Sequence, residues 1–437
     1  MTTAELLAEA VAALRDGNLD AAERGLEAVL ATSPSLPDAL HFLGVLRHAQ
    51  GRVDEAIALI RHSLDLLPRQ PGAWNNLGNI HLLGGDLDEA TDCYRRVIDA
   101  EASAETTAQA LNNLCTLYRR KGALTASEEA ARQAIDLQPD MGGGWYNLSR
   151  TLLELGRVHD GLVANSRAIA LMPEAVQTRQ EVIRALMMLD ERERAASLLR
   201  EWLAEDPGNP VVEHLLAACV GGLAPERASD AYVTQVFDGF AASFDAQLEG
   251  LDYRAPEYVV ACLAASLGRA EARLDICDAG CGTGLCGPGL RPWAAYLAGC
   301  DLSTGMLRRA QARHVYDVLH QAELTYYLDT QPARFDAVVS ADTLCYFGRL
   351  EGVFAAAACA LRPGGWLVFT VEALDADLAL PCRLQLNGRY AHAPGHVRAG
   401  LAAAGFEVMT MAPEILRQEA GLGVEGWVVS ARRRAAI

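Results

Sequence analysis

Through the first half of the chain, apolar residues return every three or four positions, and the spacing restarts at a fixed interval. One stripe reads Trp74, Leu77, His81 and another reads Trp145, Leu148, Leu152. Spacing of i, i+3, i+7 lays one face of a helix against a neighbour. Gly17, Gly51, Gly85, Gly122 and Gly156 mark the restarts, with Asp190 in the sixth slot, at intervals of 34, 34, 37, 34 and 34 residues. Five positions after each marker stands a small residue: Ala22, Ala56, Ala90, Ser127, Gly161 and Ala195. Prolines close all units but the third, at Pro34, Pro68, Pro139, Pro173 and Pro207. Glycine permits the left-handed turn that ends a first helix, the small residue lets a second helix come close, and proline stops it. The pattern predicts six two-helix units from about Leu6 to Pro210, with three extra residues in the third between Asp99 and Thr107. Val211 to Val220 reads as a final packing helix.

After Gly221-Gly222-Leu-Ala-Pro225 the texture changes, and short apolar runs alternate with helical segments. That alternation predicts βαβ units and a parallel sheet. The expected strands are Leu274 to Asp278, Tyr296 to Cys300, Phe335 to Ser340 and Gly365 to Val371, with Phe406 to Met411 and Gly426 to Ser430 as an antiparallel edge. The domains expected are therefore 1–222, an α-solenoid, and 223–437, an α/β unit.

Composition narrows the function. The 437 residues carry 38 basic and 56 acidic side chains, a net charge of −18, and a single lysine, Lys121. Binding to a phosphate backbone needs clustered cations, so no nucleic-acid partner is expected. A hydrophobic share of 51% excludes wholesale disorder. No apolar run reaches the roughly 18 residues of a membrane helix, and Met1 to Ala10 lacks a basic leader. Eleven cysteines without C-x-x-C pairs predict a reduced, cytoplasmic chain and no membrane association. Cys277, Cys281 and Cys286 suit no zinc site by spacing, and no metal is expected.

The chemistry concentrates in Leu274-Asp-Ile-Cys-Asp-Ala-Gly-Cys-Gly-Thr-Gly284. A glycine-rich turn after a strand and before a helix lets backbone N–H groups approach a ligand. Alone it would suit a nicotinamide cofactor equally, although G-x-G-x-x-G spacing ends here at Leu285. Seventeen residues after Gly284 comes Asp301, an acid ending the next strand, where a carboxylate accepts both ribose hydroxyls. Together these resemble the class I S-adenosylmethionine-dependent methyltransferases, with D-x-G-x-G-x-G at Asp278, Gly280, Gly282 and Gly284. The run Leu361-Arg-Pro-Gly-Gly-Trp-Leu-Val-Phe369 resembles that family's turn into its fifth strand. Likewise Trp74-Asn-Asn-Leu-Gly78 and Trp145-Tyr-Asn-Leu-Ser149 resemble tetratricopeptide repeats. The joint resemblance is to bacterial methyltransferases with N-terminal repeats of this kind. It implies a solenoid followed by a Rossmann-like seven-stranded domain that uses S-adenosylmethionine.

The methyltransferase resemblance also implies site residues. Asp301 would hold the ribose, and Leu302 and Met306 would wall the adenine. Glu323 would meet the adenine amine, with Leu324 beside it. Ala279 and Cys281 belong to the loop, and Ala341 lies beside the sulfonium. Asp342 would orient the cofactor's amino group or act on substrate, a helix-capping role being the alternative. Tyr232, Phe237 and Phe244 recur on an amphipathic helix that would lid the pocket. Tyr253 precedes Arg254, which reads either as a clamp on the cofactor carboxylate or as a surface arginine. For proton removal the candidates are Asp342, Tyr346, His392 and His396, at or beyond the carboxyl ends of strands.

Asn76, Asn113 and Asn147 share one slot of three successive repeats. A row of side-chain amides can pair with an extended peptide, though asparagine is also common at that slot. Residues 1–225 hold 32 acids and 20 bases, which favours a basic partner and serves solubility equally. The leading expectation is methylation of a captured peptide or protein. The alternative is a small-metabolite acceptor, with the repeats as scaffold or homodimer surface.

Overall fold

The computed structural model describes residues 2–100, 102–221, 224–374 and 380–435. Gly222 and Leu223, the centre of the expected domain break, lie outside the described residues. The chain forms two compact units, Met1–Leu189 and Asp190–Ile437.

The first unit is built from antiparallel helix pairs such as Pro37–Ala49 with Val53–Leu66, Pro71–Gly84 with Leu87–Asp99, and Gly142–Glu154 with Val158–Leu171. The five marker glycines take φ between 72° and 89°. Asp190, the sixth marker of the sequence and the first residue of the second unit, has φ 56°, a conformation that aspartate tolerates better than most side chains. All six small residues are buried, and a methyl group added at Gly161 would lie 2.8 Å from Leu153. Trp74 and Trp145 each donate their indole N–H, at 2.9 Å, to the carbonyl of the proline closing the preceding unit, Pro68 and Pro139. The extra residues of the third unit are followed by the longer helix Ala104–Arg120.

The second unit begins with helices Arg192–Glu205 and Pro210–Val220 and continues through Asp230–Phe240, Phe244–Glu249 and Ala255–Leu267 into a sheet. Its strands are β1 Leu274–Ala279, β2 Ala294–Asp301, β3 Val318–Gln321, β4 Phe335–Ser340, β5 Leu361–Ala373, β6 Cys382–Leu384, β7 Tyr390–His392, β8 Phe406–Glu419 and β9 Leu422–Arg433. Seven of them run in the order β3-β2-β1-β4-β5-β9-β8, with β9 antiparallel to both neighbours. The ribbon of β6 and β7 pairs with β5 only at Glu372 and Ala373, beyond the point where β4 has ended. Period-two alternation divides each strand between two cores. Cys277, Ala298 and Val338 face helices Leu324–Asp329, Glu351–Ala360 and Pro394–Ala403, while Ile276, Leu297 and Val339 face Ala255–Leu267 and Gly287–Leu290. A sheet covered on both faces explains why its strands are near-continuous apolar runs.

The repeat register ends at about 222, yet packing changes at 189/190. Helix Pro210–Val220 belongs with the sheet unit because Ala217 and Ala218 pack on Leu384 and Tyr390 of the ribbon. His214 Nε2 lies 2.8 Å from the Gly388 carbonyl, and its ring stacks on Tyr232 at 4.0 Å.

Candidate functional site

The site starts at the carboxyl end of β1, where Gly280, Gly282 and Gly284 take φ of 76°, 53° and 83°. They differ in why glycine is needed. A Cβ at Gly280 would stand 2.4 Å from Thr343, and one at Gly284 would stand 2.9 Å from Tyr316, whereas one at Gly282 would meet nothing within 4 Å. Gly280 and Gly284 therefore close the turn, and Gly282 presents bare backbone to the open side.

Asp301 ends β2 beside this turn. One carboxylate oxygen accepts the Gly282 N–H at 2.9 Å and the other accepts the Ser303 N–H at 2.8 Å. A carboxylate oxygen has two lone-pair directions, so capacity remains for a diol beside these donors and the Leu302 N–H. Burial holds this carboxyl above its ordinary value, opposed by those backbone donors. Met306 is buried and Leu302 half-buried. Glu323 caps helix Leu324–Asp329 by accepting the Tyr326 N–H at 2.9 Å, while its Oε1 is buried without a partner among the described residues. A nucleoside with vicinal hydroxyls and an exocyclic amine matches these acceptors.

Asp278 does not face the open side. It is 1% exposed and accepts the Tyr316 hydroxyl at 2.6 Å. Burial pushes its carboxyl up to about 7 from 3.8, against the Tyr316 hydrogen bond. A carboxyl raised on folding favours the fold below the unfolded value, and that contribution is lost as pH rises through about 7. Asp278→Asn removes the charge and keeps an acceptor for Tyr316. Its stability relative to wild type is expected to improve by roughly 2–3 kcal/mol between pH 5 and pH 8. Urea unfolding at the two pH values checks this, and an unchanged difference would mean that Asp278 titrates as an ordinary acid.

Two segments tie down over the loop. Asp238, on Asp230–Phe240, accepts from Ser303 Oγ and from the Gly305 N–H at 3.1 Å. Asp245, on Phe244–Glu249, accepts from Thr283 Oγ1 and Arg313, each at 2.6 Å. Phe237 meets both Phe244 and Tyr346 edge-on, at 6.0 and 5.5 Å between ring centres. The aromatic stripe expected to lid the pocket thus reaches the loop after β4.

Other expected residues are placed differently. Arg254 lies over the Tyr258 ring at 4.8 Å and 3.6 Å from Glu257, with its side chain 47% exposed. Tyr232 is committed to His214 and the Gly388 turn rather than to the glycine loop. Tyr253 does approach the site, its phenol held well above its ordinary value by burial and then by the Asp342 charge. His392 is wholly buried, and neither ring nitrogen has a hydrogen-bond partner among the described residues. Burial brings it down to about 4, so it stays neutral at pH 7, stacked 6.3 Å from His396. His392 is shut in on β7, whereas His396, on Pro394–Ala403, is half-buried. Ala279, Cys281 and Leu324 are buried and Ala341 is half-buried around the loop. The Cys281 thiol is held well above its ordinary value by burial.

Asp342 and Tyr346 remain at the carboxyl end of β4. Burial also holds the Tyr346 phenol well above its ordinary value. Asp342 has φ 54°, and its N–H donates to Thr370 Oγ1 at 2.8 Å. Its carboxylate is gripped by Arg417, a residue the sequence does not announce. Asp342, Cys345 and Glu372 bring ligating atoms within 4.8 Å of one another, but Arg417 already supplies the cation between the two carboxylates.

In the repeats, the three asparagines do line up, and each bonds to the unit before it. Asn76 Nδ2 is 2.8 Å from His41 Nε2, Asn113 Nδ2 is 3.3 Å from Asn75 Oδ1, and Asn147 Nδ2 is 2.9 Å from Asn112 Oδ1. Asn113 also donates to Asn79 at 2.9 Å. These amide donors thus tie each repeat to the one before it.

Residues 277–369 match a methyltransferase domain model, and residues 35–102 and 76–142 match tetratricopeptide repeat models. Human methyltransferase-like protein 27 is 38% identical over 105 residues, 24% of this chain and 43% of that protein. Human tetratricopeptide repeat protein 7B is 31% identical over 94 residues, 22% of this chain and 11% of that one. The chain thus spans less than half the length of these curated relatives. A solved S-adenosylmethionine dependent methyltransferase from Mesorhizobium loti aligns with 40% of this chain and 96% of its own at 26% identity, with a TM-score of 0.32. The chain therefore joins tetratricopeptide repeats to a methyltransferase domain. Among the described residues no helix is long and apolar enough to cross a membrane.

Proposed function

We propose that the second unit transfers a methyl group from S-adenosylmethionine to a peptide or protein that the repeats capture. The observation that carries the cofactor assignment is Asp301, half-buried, pinned by Gly282 and Ser303, with lone-pair capacity left for a ribose diol. The unpartnered Glu323 Oε1 fits an exocyclic amine, and the open face of Gly282 fits a ligand against backbone. The cofactor supplies an activated methyl group for in-line displacement. The protein's share is to orient and to exclude water. Asp301 fixes the sugar, and Met306 and Leu302 flank the base. Asp238 and Asp245 hold the covering segments on the two turns that grip the nucleoside. Tyr346, against Phe237, borders the acceptor side.

Asp301→Ala tests the assignment. It leaves the Gly282 N–H without its acceptor and removes the diol's partner, so S-adenosylhomocysteine binding is expected to weaken by about 1–3 kcal/mol. Titration calorimetry reads this directly, and an unaltered affinity would overturn the ribose role.

For the acceptor, the aligned asparagines favour an extended peptide, since each keeps its carbonyl oxygen, and Asn76 and Asn147 keep a second N–H. Their inter-repeat bonds favour the other reading, in which the ladder only sets register and the acceptor is a small metabolite. Methyl-labelled cofactor in a lysate separates the two. Label in a polypeptide band that proteolysis removes supports capture, and label confined to the small-molecule fraction supports the metabolite.

A further inference from the structure

Five charged side chains converge at the carboxyl ends of β4 and β5. Arg417 on β8 donates from Nη1 to both oxygens of Asp342, at 2.8 Å each, from Nε to Glu419 at 2.6 Å, and from Nη2 to Glu372. Arg389, before β7, donates to the same glutamates, at 2.6 Å to Glu372 and 2.5 Å to Glu419. Three carboxylates against two guanidiniums leave one unit of negative charge. Arg417 and Glu372 are shut in, with 3% and 2% of their side chains exposed, while Asp342 keeps 16% open. Buried ions persist only when their donors and lone pairs are met, and here the inner members satisfy one another. The unsatisfied capacity falls on Asp342, which accepts from a single nitrogen of Arg417.

Asp342 is also the member that adjoins the glycine loop. Thr343, next in sequence, donates from Oγ1 to the Gly280 carbonyl at 3.2 Å and fills the space a Cβ at Gly280 would take. A left-handed backbone at a non-glycine residue and the Thr370 bond to its N–H fix where the carboxylate can stand. The charge, the opening and the rigidity call for a small cation with several N–H donors.

We propose that Arg417 is a positioning residue that holds Asp342 as an oriented anchor for an alkylammonium, the α-ammonium on the amino-acid arm of the cofactor. This rests on the methyltransferase reading above. Arg417 acts through Asp342 and touches no ligand itself. Its grip is braced by Glu372 and by Arg389, whose neighbour Gly388 carries the His214 contact.

The test is calorimetric titration of the full chain with S-adenosylhomocysteine and with 5′-methylthioadenosine, which lacks the amino-acid arm. Arg417→Gln is expected to weaken S-adenosylhomocysteine at least tenfold and 5′-methylthioadenosine less than twofold, with Arg417→Lys recovering part of the loss. If Arg417→Gln fails to fold, the near-isosteric Asp342→Asn should show the same selectivity between the two ligands. Equal losses for both ligands, or none, would overturn the proposal while leaving the methyltransferase reading intact. Failure of wild type to bind either ligand would remove that reading, and this one with it.

Discussion

A Gly280→Ala variant is expected to lose about 3–5 kcal/mol of stability, while Gly282→Ala, two residues away, loses only about 1 kcal/mol. The two share a left-handed backbone, φ 76° and 53°, so both incur the cost of a Cβ in that region. They differ in surroundings. At Gly280 the new methyl would stand 2.4 Å from Cγ2 and Oγ1 of Thr343. Thr343 cannot withdraw freely, because Oγ1 is bonded to the Gly280 and Ala341 carbonyls and the Asp342 N–H is held by Thr370. At Gly282 there is room, so the fold survives and the loss should appear in S-adenosylhomocysteine affinity. Thermal unfolding of both variants beside a binding titration checks the pair. Equal destabilisation would mean that Gly282 is a packing glycine too, and the open side of the loop would need reassignment.

The second large effect concerns where the catalytic half begins. A chain starting at Asp190 is expected to unfold cooperatively near the temperature at which the second unit melts in the full chain. A chain starting at residue 223 should be less stable by on the order of 3 kcal/mol. It would bare Tyr390 and Leu384, remove the ring stacked on Tyr232, and leave the Gly388 carbonyl without His214. At roughly 2–4 °C per kcal/mol for a chain of that size, the difference is readily measured. Arg389 follows Gly388, so the shorter chain should also bind S-adenosylhomocysteine more weakly. Equal melting temperatures would assign helix Pro210–Val220 to the repeats alone.

Much of the candidate site was legible because it is local. The motif from Asp278 to Gly284 occupies one turn, and Asp301 follows at a strand end that hydrophobic patterning locates. Even so, the pattern could not distinguish ligand-facing from inward-facing members. Asp278 turns to Tyr316, 38 positions away, and only folding brings them together. The partners of Arg254 and Tyr232 were illegible for a similar reason: an arginine beside an aromatic, or a tyrosine on an amphipathic helix, has several partners available, and packing selects one. Glu372 did leave a trace, being the lone acid in the apolar run Val368 to Val371 and its continuation, but its meaning required Arg417, 45 positions on.

What the sequence determined by itself is therefore whatever repeats or lies within a turn: the repeat register, the left-handed slots, the strands around the glycine loop, and the acid that ends β2. These follow from backbone sterics and side-chain periodicity, which act over a few residues. The three-residue ribbon strands and short β3 escaped because their pairing, and not their propensity, makes them strands. The tertiary structure alone decided which charges meet in the interior, which asparagine amides join successive repeats, and which unit holds the helix Pro210–Val220. Desolvation and close packing act between surfaces remote in sequence, and they have no period to read.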